Sequence, residues 1–241
     1  MIIEVAFGWL DPACRSASGR AVAVIDVIRA TTTITMALHQ GCAGVIPVRT
    51  LSEARTVARR LGQGALLAGE RGAERAAGFD LGNSPAEYGR ERVKGKTVVL
   101  TTTNGTRTFQ AVSGAQAIIA CSFLNVSAAA HWLAATGLDI LIACAGRYGR
   151  FCLEDVVGSG MLIDRVLSVG DRPIDLTDAA RAAHQLFSHY RGDLLGMLRG
   201  CEWGGEIIRK GFGADLEICA QVDLTDIVPV MRKDRLVGKR T

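Results

Sequence analysis

The sequence predicts an α/β fold in three layers, in which helices cover a largely parallel sheet or sheets. Short apolar runs alternate with predicted helices, and the run Ala21–Ile25 is apolar throughout, which is typical of a strand buried on both faces of a parallel sheet. Hydrophobic residues make up 49% of the chain but aromatic residues only 5%, which favours α/β over an all-β sandwich. The order of the predicted elements also occurs twice.

A strand is predicted at residues 1–7, and the first round of elements begins after it. A polar loop leads to the strand at 21–25. The chain continues with a helix at 34–39, a strand at 43–48, a helix at 51–61, a strand at 65–68 and a long Gly-rich loop at 69–85.

The second round has the same order. It comprises a strand at 97–100, a Thr/Asn/Gly turn, a helix from Thr108, a strand at 116–121, a helix at 125–135, a strand at 138–144 and a Gly-rich loop at 145–150. Gly41 and Gly114 are 73 residues apart, as are Thr33 and Thr106. The matched Thr turns favour a duplication over chance.

We therefore predict two similar βα halves, residues 1–90 and 91–165, and a helical C-terminal segment, 166–241, packed on the same unit. One compact domain overall is the alternative. Helices are predicted at 154–167, from the capped start at Thr177 to Tyr190, at 193–198 and at 202–210, and a strand or hairpin at 223–237.

Charge and cysteine usage exclude several classes of function. The formal charge is only +4 and the basic residues are scattered, so we expect no nucleic-acid partner, whereas a small anionic ligand fits. The seven cysteines form no CxxC pair, which indicates neither a zinc knuckle nor a disulfide framework and suits a reducing cytoplasm. No signal peptide or membrane span is predicted. The sequence leaves open whether the chain forms homo-oligomers.

The turn at Thr101–Arg107 follows a predicted strand and precedes a predicted helix. Its hydroxyl groups and free N–H groups suit a phosphate or another oxyanion. The alternative is a tight Asn-Gly turn beside β-branched strand residues. Thr31–Thr33 is predicted to form a similar threonine-rich turn in the first round. We therefore favour a phosphate site that lies between the two halves and is formed by both turns.

Asp26 and Glu70 come at the ends of predicted strands, and Glu154 and Asp155 open a predicted helix directly after a Gly/Arg loop. Each has an ordinary explanation, such as a helix cap or a Glu–Arg pair. The predicted fold brings these strand ends together, however, and hard carboxylate ligands suit Mg²⁺ better than zinc. Arg29, Arg71, Arg107 and Arg147 lie at similar positions, which suggests a ligand with more than one negative group.

Other catalytic signatures are weak. No histidine has a partner at metal-ligand spacing, and P-loop, Rossmann and nucleophile-elbow motifs are missing from the sequence. Cys144 followed by Arg150 matches the spacing of a cysteine phosphatase, which predicts metal-independent turnover at the Cys144 thiol.

The segments 26–33, 69–72, 78–85, 101–107, 144–146 and 153–155 together resemble the 2-phosphosulfolactate phosphatase family, whose members are Mg²⁺-dependent enzymes linked to coenzyme M synthesis. The resemblance spans most of residues 24–160 in the family's order. It implies hydrolysis of 2-phospho-3-sulfolactate to sulfolactate and phosphate. A phosphatase for another small anionic 2-phospho-acid and a non-catalytic oxyanion-binding protein are the alternatives.

We predict a role for each of the acids and for the residues around them. Asp26, Glu70 and Asp155 would hold Mg²⁺ or its waters, and Asp26, Glu154 and Asp155 would be catalytic, with Glu154 as general acid or base. The predicted substrate-binding residues are Arg29, Thr31, Thr32, Thr33, Arg71, Thr102, Thr103, Asn104, Gly105, Thr106, Arg107 and Arg147.

Overall fold

The computed structural model describes residues 1–170 and 172–240. Asp171 and Thr241, which the predicted C-terminal segment includes, lie outside the described residues. The described strands are β1 (Ile2–Ala6), β2 (Ala21–Ile25), β3 (Gly44–Pro47), β4 (Ala65–Arg71), β5 (Glu74–Arg75), β6 (Thr97–Thr101), β7 (Ala117–Cys121), β8 (Ile140–Cys144), β9 (Asp175–Leu176), β10 (Ile227–Arg232) and β11 (Arg235–Arg240).

Helices connect most of these strands. They are α1 (Pro12–Arg15), α2 (Ala30–His39), α3 (Leu51–Leu61), α4 (Arg90–Val93), α5 (Gly105–Ala111), α6 (Val126–Thr136), α7 (Leu153–Val169), α8 (Asp178–Tyr190), α9 (Leu194–Gly200), α10 (Glu202–Arg209) and α11 (Ala214–Cys219), with short 3₁₀ turns at Pro85–Glu87 and Phe123–Asn125. None of the described helices is long and apolar enough to cross a membrane.

The strands form one mixed, mostly parallel sheet in the order β5-β4-β6-β3-β11-β10-β7-β2-β8-β1-β9. Successive residues of β2 face opposite sides: Ala23 packs in the core with α6, α7 and α8, whereas Val22 and Val24 pack with α2 and α5. Helices therefore cover both faces, which confirms the predicted α/β class and its helical C-terminal part.

The hairpin β10–β11 lies in the middle of the sheet and joins two groups of parallel strands. β10 is antiparallel to β7 and to β11, and β11 is antiparallel to β3. The group β4-β6-β3 therefore runs opposite to the group β7-β2-β8, and the strand ends do not share one edge as we expected. The loops that follow the two groups of strands nevertheless approach each other. Helix α5, which follows β6, indeed contacts β2 and α2.

The strand order also interleaves the two predicted halves. β6, the first strand of the second round, lies between β3 and β4 of the first round, and β2 lies between β7 and β8 in the same way. The polar loop after each first-round strand is consequently built next to a loop from the second round.

Two helix starts were predicted too late. Helix α2 begins at Ala30 rather than at residue 34, and α5 begins at Gly105 rather than at 108. The threonines suggested a turn because β-branched residues disfavour helices. Their hydroxyl groups instead bond nearby backbone carbonyls, as Thr32 Oγ1 does with Val27 O at 2.8 Å, and so support the first helical turn.

Candidate active site

A cavity of about 430 Å³ opens where the loops after β2, β4, β6 and β8 meet. A narrower pocket adjoins it and adds Cys152, Glu154 and Asp155. The main cavity is lined by Asp26, Ile28, Arg29, Glu70, Gly72, Asn83, Thr102, Thr103, Asn104, Arg147, Tyr148 and Trp203.

Asp26 lies at the centre of this arrangement, directly after the fully buried strand β2. Its Oδ1 accepts a hydrogen bond from Ala30 N at 3.1 Å, at the start of α2. Burial raises the pKa of Asp26 to about 7, and the nearby Glu70 and Glu154 carboxylates add to the rise. A Cβ on Gly105 would lie 2.7 Å from Asp26 Oδ2, so only glycine lets α5 approach this carboxylate so closely.

Glu70 and Asp155 bind backbone groups with both of their carboxylate oxygens. Glu70 accepts from Thr103 N at 2.7 Å and from Ala73 N at 2.9 Å. Asp155 accepts from Val27 N and from Gly146 N, each at 2.9 Å. Each acid thus joins a loop of one round to a loop of the other, and both hold the walls of the cavity in place.

Glu154 is the fourth buried acid and lies in the first turn of α7. It is 3% exposed, and burial raises its pKa. Cys152 lies with Glu154 in the adjoining pocket. No described Lys or Arg forms an ion pair with any of the four acids, and burial favours the protonated forms of Asp26 and Glu154.

This set of groups suits a hard cation held by few protein ligands. Within residues 1–170 and 172–240, no three His, Cys, Asp or Glu side chains are arranged to hold a metal ion together. Asp26 Oδ2, however, accepts no hydrogen bond from these residues and belongs to a carboxylate that lines the cavity. Mg²⁺ commonly uses one or two carboxylates and completes its shell with water and substrate phosphate.

Arg29 supplies positive charge on another wall of the cavity, although it is almost fully buried. Its guanidinium donates to Asp215 Oδ2 at 2.7 Å and to Ala73 O at 2.8 Å, and it stacks on Phe212 at 4.7 Å. Ser84 Oγ donates to the other oxygen of Asp215 at 2.6 Å. Two of the five guanidinium donors are used in this way, and the other three donate to no described residue.

Arg147 lies at the rim, between two aromatic rings. Its guanidinium lies 4.7 Å from the ring centre of Trp203 and 5.8 Å from that of Tyr148, and it pairs with Glu202 and Glu206 of α10. The indole N–H of Trp203 donates to Ile28 O at 2.9 Å. The C-terminal segment therefore orients the arginines of both walls.

Known proteins resemble this chain over most of its length. The family model of 2-phosphosulpholactate phosphatase matches residues 12–234. The chain belongs to the 2-phosphosulpholactate phosphatase family. The probable 2-phosphosulfolactate phosphatase of Thermotoga petrophila is 42% identical over 218 residues, which cover 90% of this chain and 92% of that protein. The protein of the same name from Symbiobacterium thermophilum is 39% identical over 227 residues, which cover 94% and 97%.

Membership of the 2-phosphosulpholactate phosphatase family confirms the resemblance seen in the sequence. It makes the chain a phosphoric monoester hydrolase, as predicted, with a small phosphorylated substrate. The prediction that the chain binds no nucleic acid and the predicted cytoplasmic location stay predictions.

The threonines of this phosphatase occupy two different environments. Thr102 and Thr103 line the cavity with Asn104, and Thr102 Oγ1 accepts from Thr106 N at 3.2 Å. The hydroxyl groups of Thr31, Thr32 and Thr33 are fully buried beneath the cavity, where each donates to a backbone carbonyl. Thr33 bonds Asn83 O at 2.9 Å, so its observed contact positions a wall residue.

Two of the predicted arginines do not line the cavity. Arg107 is exposed on α5 and stacks on Trp9 at 5.4 Å, and Arg71 bonds backbone carbonyls and Thr101 Oγ1 at 3.2 Å. Trp203, Tyr148, Asn83 and Asp215 were not singled out from the sequence, since nothing in their local pattern distinguishes them from core or surface residues. The Gly-Asn-Ser-Pro stretch at 82–85 was the one available signal for Asn83.

The environment of Cys144 argues against the alternative in which its thiol is the nucleophile of this phosphatase. The side chain is fully buried on β8, and its sulfur lies 3.1 Å from Ser159 Oγ. Burial raises the pKa of the Cys144 thiol well above its usual range, so the reactive thiolate is disfavoured.

Proposed function

We propose that this phosphatase hydrolyses 2-phospho-3-sulfolactate to sulfolactate and phosphate in a Mg²⁺-dependent reaction. The names of its relatives, probable 2-phosphosulfolactate phosphatases, support the substrate. The observation that carries the proposal is a cavity with an adjoining pocket, in which two acids without an ion-pair partner, Asp26 and Glu154, lie near two arginines, Arg29 and Arg147. Such a cavity suits a substrate that arrives with several negative charges and a cation.

Asp26 is the residue that would hold Mg²⁺, through Oδ2, with water and phosphoryl oxygens as the other ligands. When bound, Mg²⁺ would polarise the phosphoryl group and lower the pKa of an attacking water. Glu70 and Asp155, which the sequence placed among the ligands, orient the surrounding loops instead, since their oxygens already accept backbone N–H groups.

Glu154 provides the proton that hydrolysis requires. Breaking the P–O bond leaves an alkoxide on the secondary carbon of the substrate, and this oxygen must be protonated. Because burial raises the pKa of Glu154, its carboxyl group keeps a proton to higher pH than an exposed glutamate does. It is therefore suited to donate to the leaving oxygen and to recover a proton from solvent.

Arg29 and Arg147 bind different anionic groups of the substrate. Arg29 is held rigidly by Asp215 and Ala73 and lies next to the Asp26 loop, so it binds phosphoryl oxygens and stabilises their charge. Arg147 lies at the rim and binds the carboxylate or sulfonate, which orients the ester. Thr102, Thr103 and Asn104 contribute polar groups between the two arginines.

The test is a phosphate-release screen with the purified chain. Substrates would be 2-phospho-3-sulfolactate, other 2-phospho-acids such as 2-phosphoglycerate and 2-phospholactate, and simple alkyl phosphates, each with Mg²⁺ and with EDTA. We expect the highest kcat/KM for the substrate with three anionic groups and loss of activity with EDTA. Faster turnover of another 2-phospho-acid would reassign the substrate, and full activity in EDTA would contradict the role of Mg²⁺.

A further inference from the structure

Asn83 has a side chain whose hydrogen-bonding capacity is unused. The residue is 5% exposed and lines the main cavity together with Asp26 and Arg29. Its Oδ1 is buried without a hydrogen-bond partner, and its amide nitrogen donates to no described residue. A buried polar group left unpaired costs stability, so a side chain kept in this state needs an explanation.

The backbone on both sides of Asn83 is fixed. Thr33 Oγ1 donates to the carbonyl of Asn83 at 2.9 Å, and the next residue, Ser84, donates to Asp215 at 2.6 Å. Asp215 is also the partner of Arg29, at 2.7 Å. The amide is thus attached to the same hydrogen-bond network that orients the buried arginine, and it is held at the cavity wall by contacts that do not involve its own side chain.

Asn125 shows what a structural buried asparagine looks like in this chain. Its Nδ2 donates to Ala120 O at 3.3 Å and to Ile227 O at 3.1 Å, and its Oδ1 accepts from Ser122 N at 3.0 Å. All of these contacts join backbone segments. Asn83 makes none of this kind with its amide, so structural support does not account for it.

We propose that Asn83 is a substrate-binding residue that donates its amide N–H groups to an oxyanion of the substrate, next to Arg29. We assign an anion as the ligand because Arg29, which also lines this cavity, has a buried guanidinium group that attracts negative groups. Rotation of the amide by 180° exchanges its nitrogen and oxygen, so the N–H groups can face the ligand. This assignment rests on the proposed function only because it assumes that the substrate carries a phosphate group.

The experiment compares Asn83→Ala, Asn83→Asp and Asn125→Ala with the wild-type chain. Equilibrium binding of inorganic phosphate is measured by calorimetry, with and without Mg²⁺, and melting temperature is measured in the same buffers. Because phosphate binding needs no turnover, a chain that failed to hydrolyse 2-phospho-acids would contradict the proposed function and still allow this test.

We expect Asn83→Ala to weaken phosphate binding roughly ten-fold, the loss of about one charged hydrogen bond. Asn83→Asp should weaken it further, because a carboxylate repels the anion. The melting temperature of Asn83→Ala should equal or exceed that of the wild type, since no hydrogen bond within the protein is lost. Asn125→Ala should melt lower, with unchanged phosphate affinity in the folded protein.

Two outcomes would overturn the assignment. Unchanged phosphate affinity in both Asn83 variants would remove the residue from the binding site. Retained phosphate affinity with tighter Mg²⁺ binding in Asn83→Asp would show that the amide oxygen faces the cation rather than the anion.

Discussion

Glu70 and Asp155 perform the same task on two sides of the cavity. Glu70 accepts one backbone N–H from the loop after β6 and one from the loop after β4. Asp155 accepts one from the loop after β2 and one from the loop after β8. The two acids come from different rounds of the predicted duplication, yet each connects the two rounds. Their carboxylates are therefore required for the shape of the site.

This relationship predicts the effect of Glu70→Gln and Asp155→Asn on stability. An amide keeps one acceptor oxygen but turns an NH₂ group toward the second backbone N–H, which then loses its partner. We expect each substitution to lower the free energy of unfolding by about 2 kcal/mol. Urea denaturation measures the change, with Glu217→Gln on the exposed side of α11 as a control that stays within about 0.5 kcal/mol. Wild-type stability in both variants would refute the assigned role.

Arg147 and Arg107 provide a matched pair for the substrate contacts. Both were predicted to bind substrate, but only Arg147 lines the cavity. We expect Arg147→Ala to raise the KM for a 2-phospho-acid roughly ten-fold or more, the effect of losing one charged contact. Arg107→Ala should leave KM within about two-fold, since its guanidinium stacks on Trp9 outside the site. Steady-state kinetics decide, and equal effects of the two substitutions would contradict the geometry.

The binding of Mg²⁺ should depend on pH through Asp26. In the metal-free protein the pKa of Asp26 is raised to about 7, from 3.8 in the unfolded chain. Between these values the folded state holds a proton that the unfolded state has lost, so this group makes the stability fall as pH rises through the window. If Asp26 holds Mg²⁺ as proposed, the cation should replace the proton above pH 7, and its binding should restore stability there.

We therefore expect Mg²⁺ to raise the melting temperature more at pH 8 than at pH 6. Asp26→Asn should abolish this difference, because an amide does not titrate in this range. Thermal unfolding of both proteins across the pH series is the measurement. An equal Mg²⁺-induced shift at the two pH values in the wild type would exclude Asp26 as the group that exchanges a proton for the cation.

Cys144→Ser tests the rejected thiol mechanism. The fully buried thiol lies beside Ser159 rather than in the cavity, so we expect kcat/KM to stay within about three-fold of the wild type once folded protein is compared. The hydroxyl is more polar than the thiol, and a loss of about 1 to 2 kcal/mol in unfolding free energy is expected. Loss of turnover in a stably folded variant would restore the thiol as a candidate nucleophile.

The parts of the fold that depend on local pattern were predictable. The strand at 21–25 and the helix at 51–61 occur with the predicted bounds. A continuous apolar run and a capped amphipathic stretch can each be recognised from the local sequence alone. The position of β10–β11 inside the sheet was not predictable, since it depends on long-range pairing with β3 and β7. The antiparallel relation of the two strand groups follows from that insertion.

The site shows the same division. The acids singled out from the sequence lie around one region, with Asp26 on the cavity wall and Glu154 in the adjoining pocket. Asp215 and Trp203 were missed because they reach Arg29 and Ile28 from 186 and 175 residues away in the chain. A sequence also does not show which carboxylates accept hydrogen bonds from backbone N–H groups. Both carboxylate oxygens of Glu70 and of Asp155 do so, whereas only Oδ1 of Asp26 does.

The most direct test of the central claim is phosphate release from 2-phospho-3-sulfolactate by the wild type, Asp26→Asn and Glu154→Gln at saturating Mg²⁺. We expect the wild type to turn over and both variants to lose at least about 100-fold in kcat, the usual contribution of a positioned proton donor or a metal ligand. Thermal unfolding confirms that each variant is folded. Wild-type turnover in either folded variant would contradict the assignment of that carboxylate to the reaction.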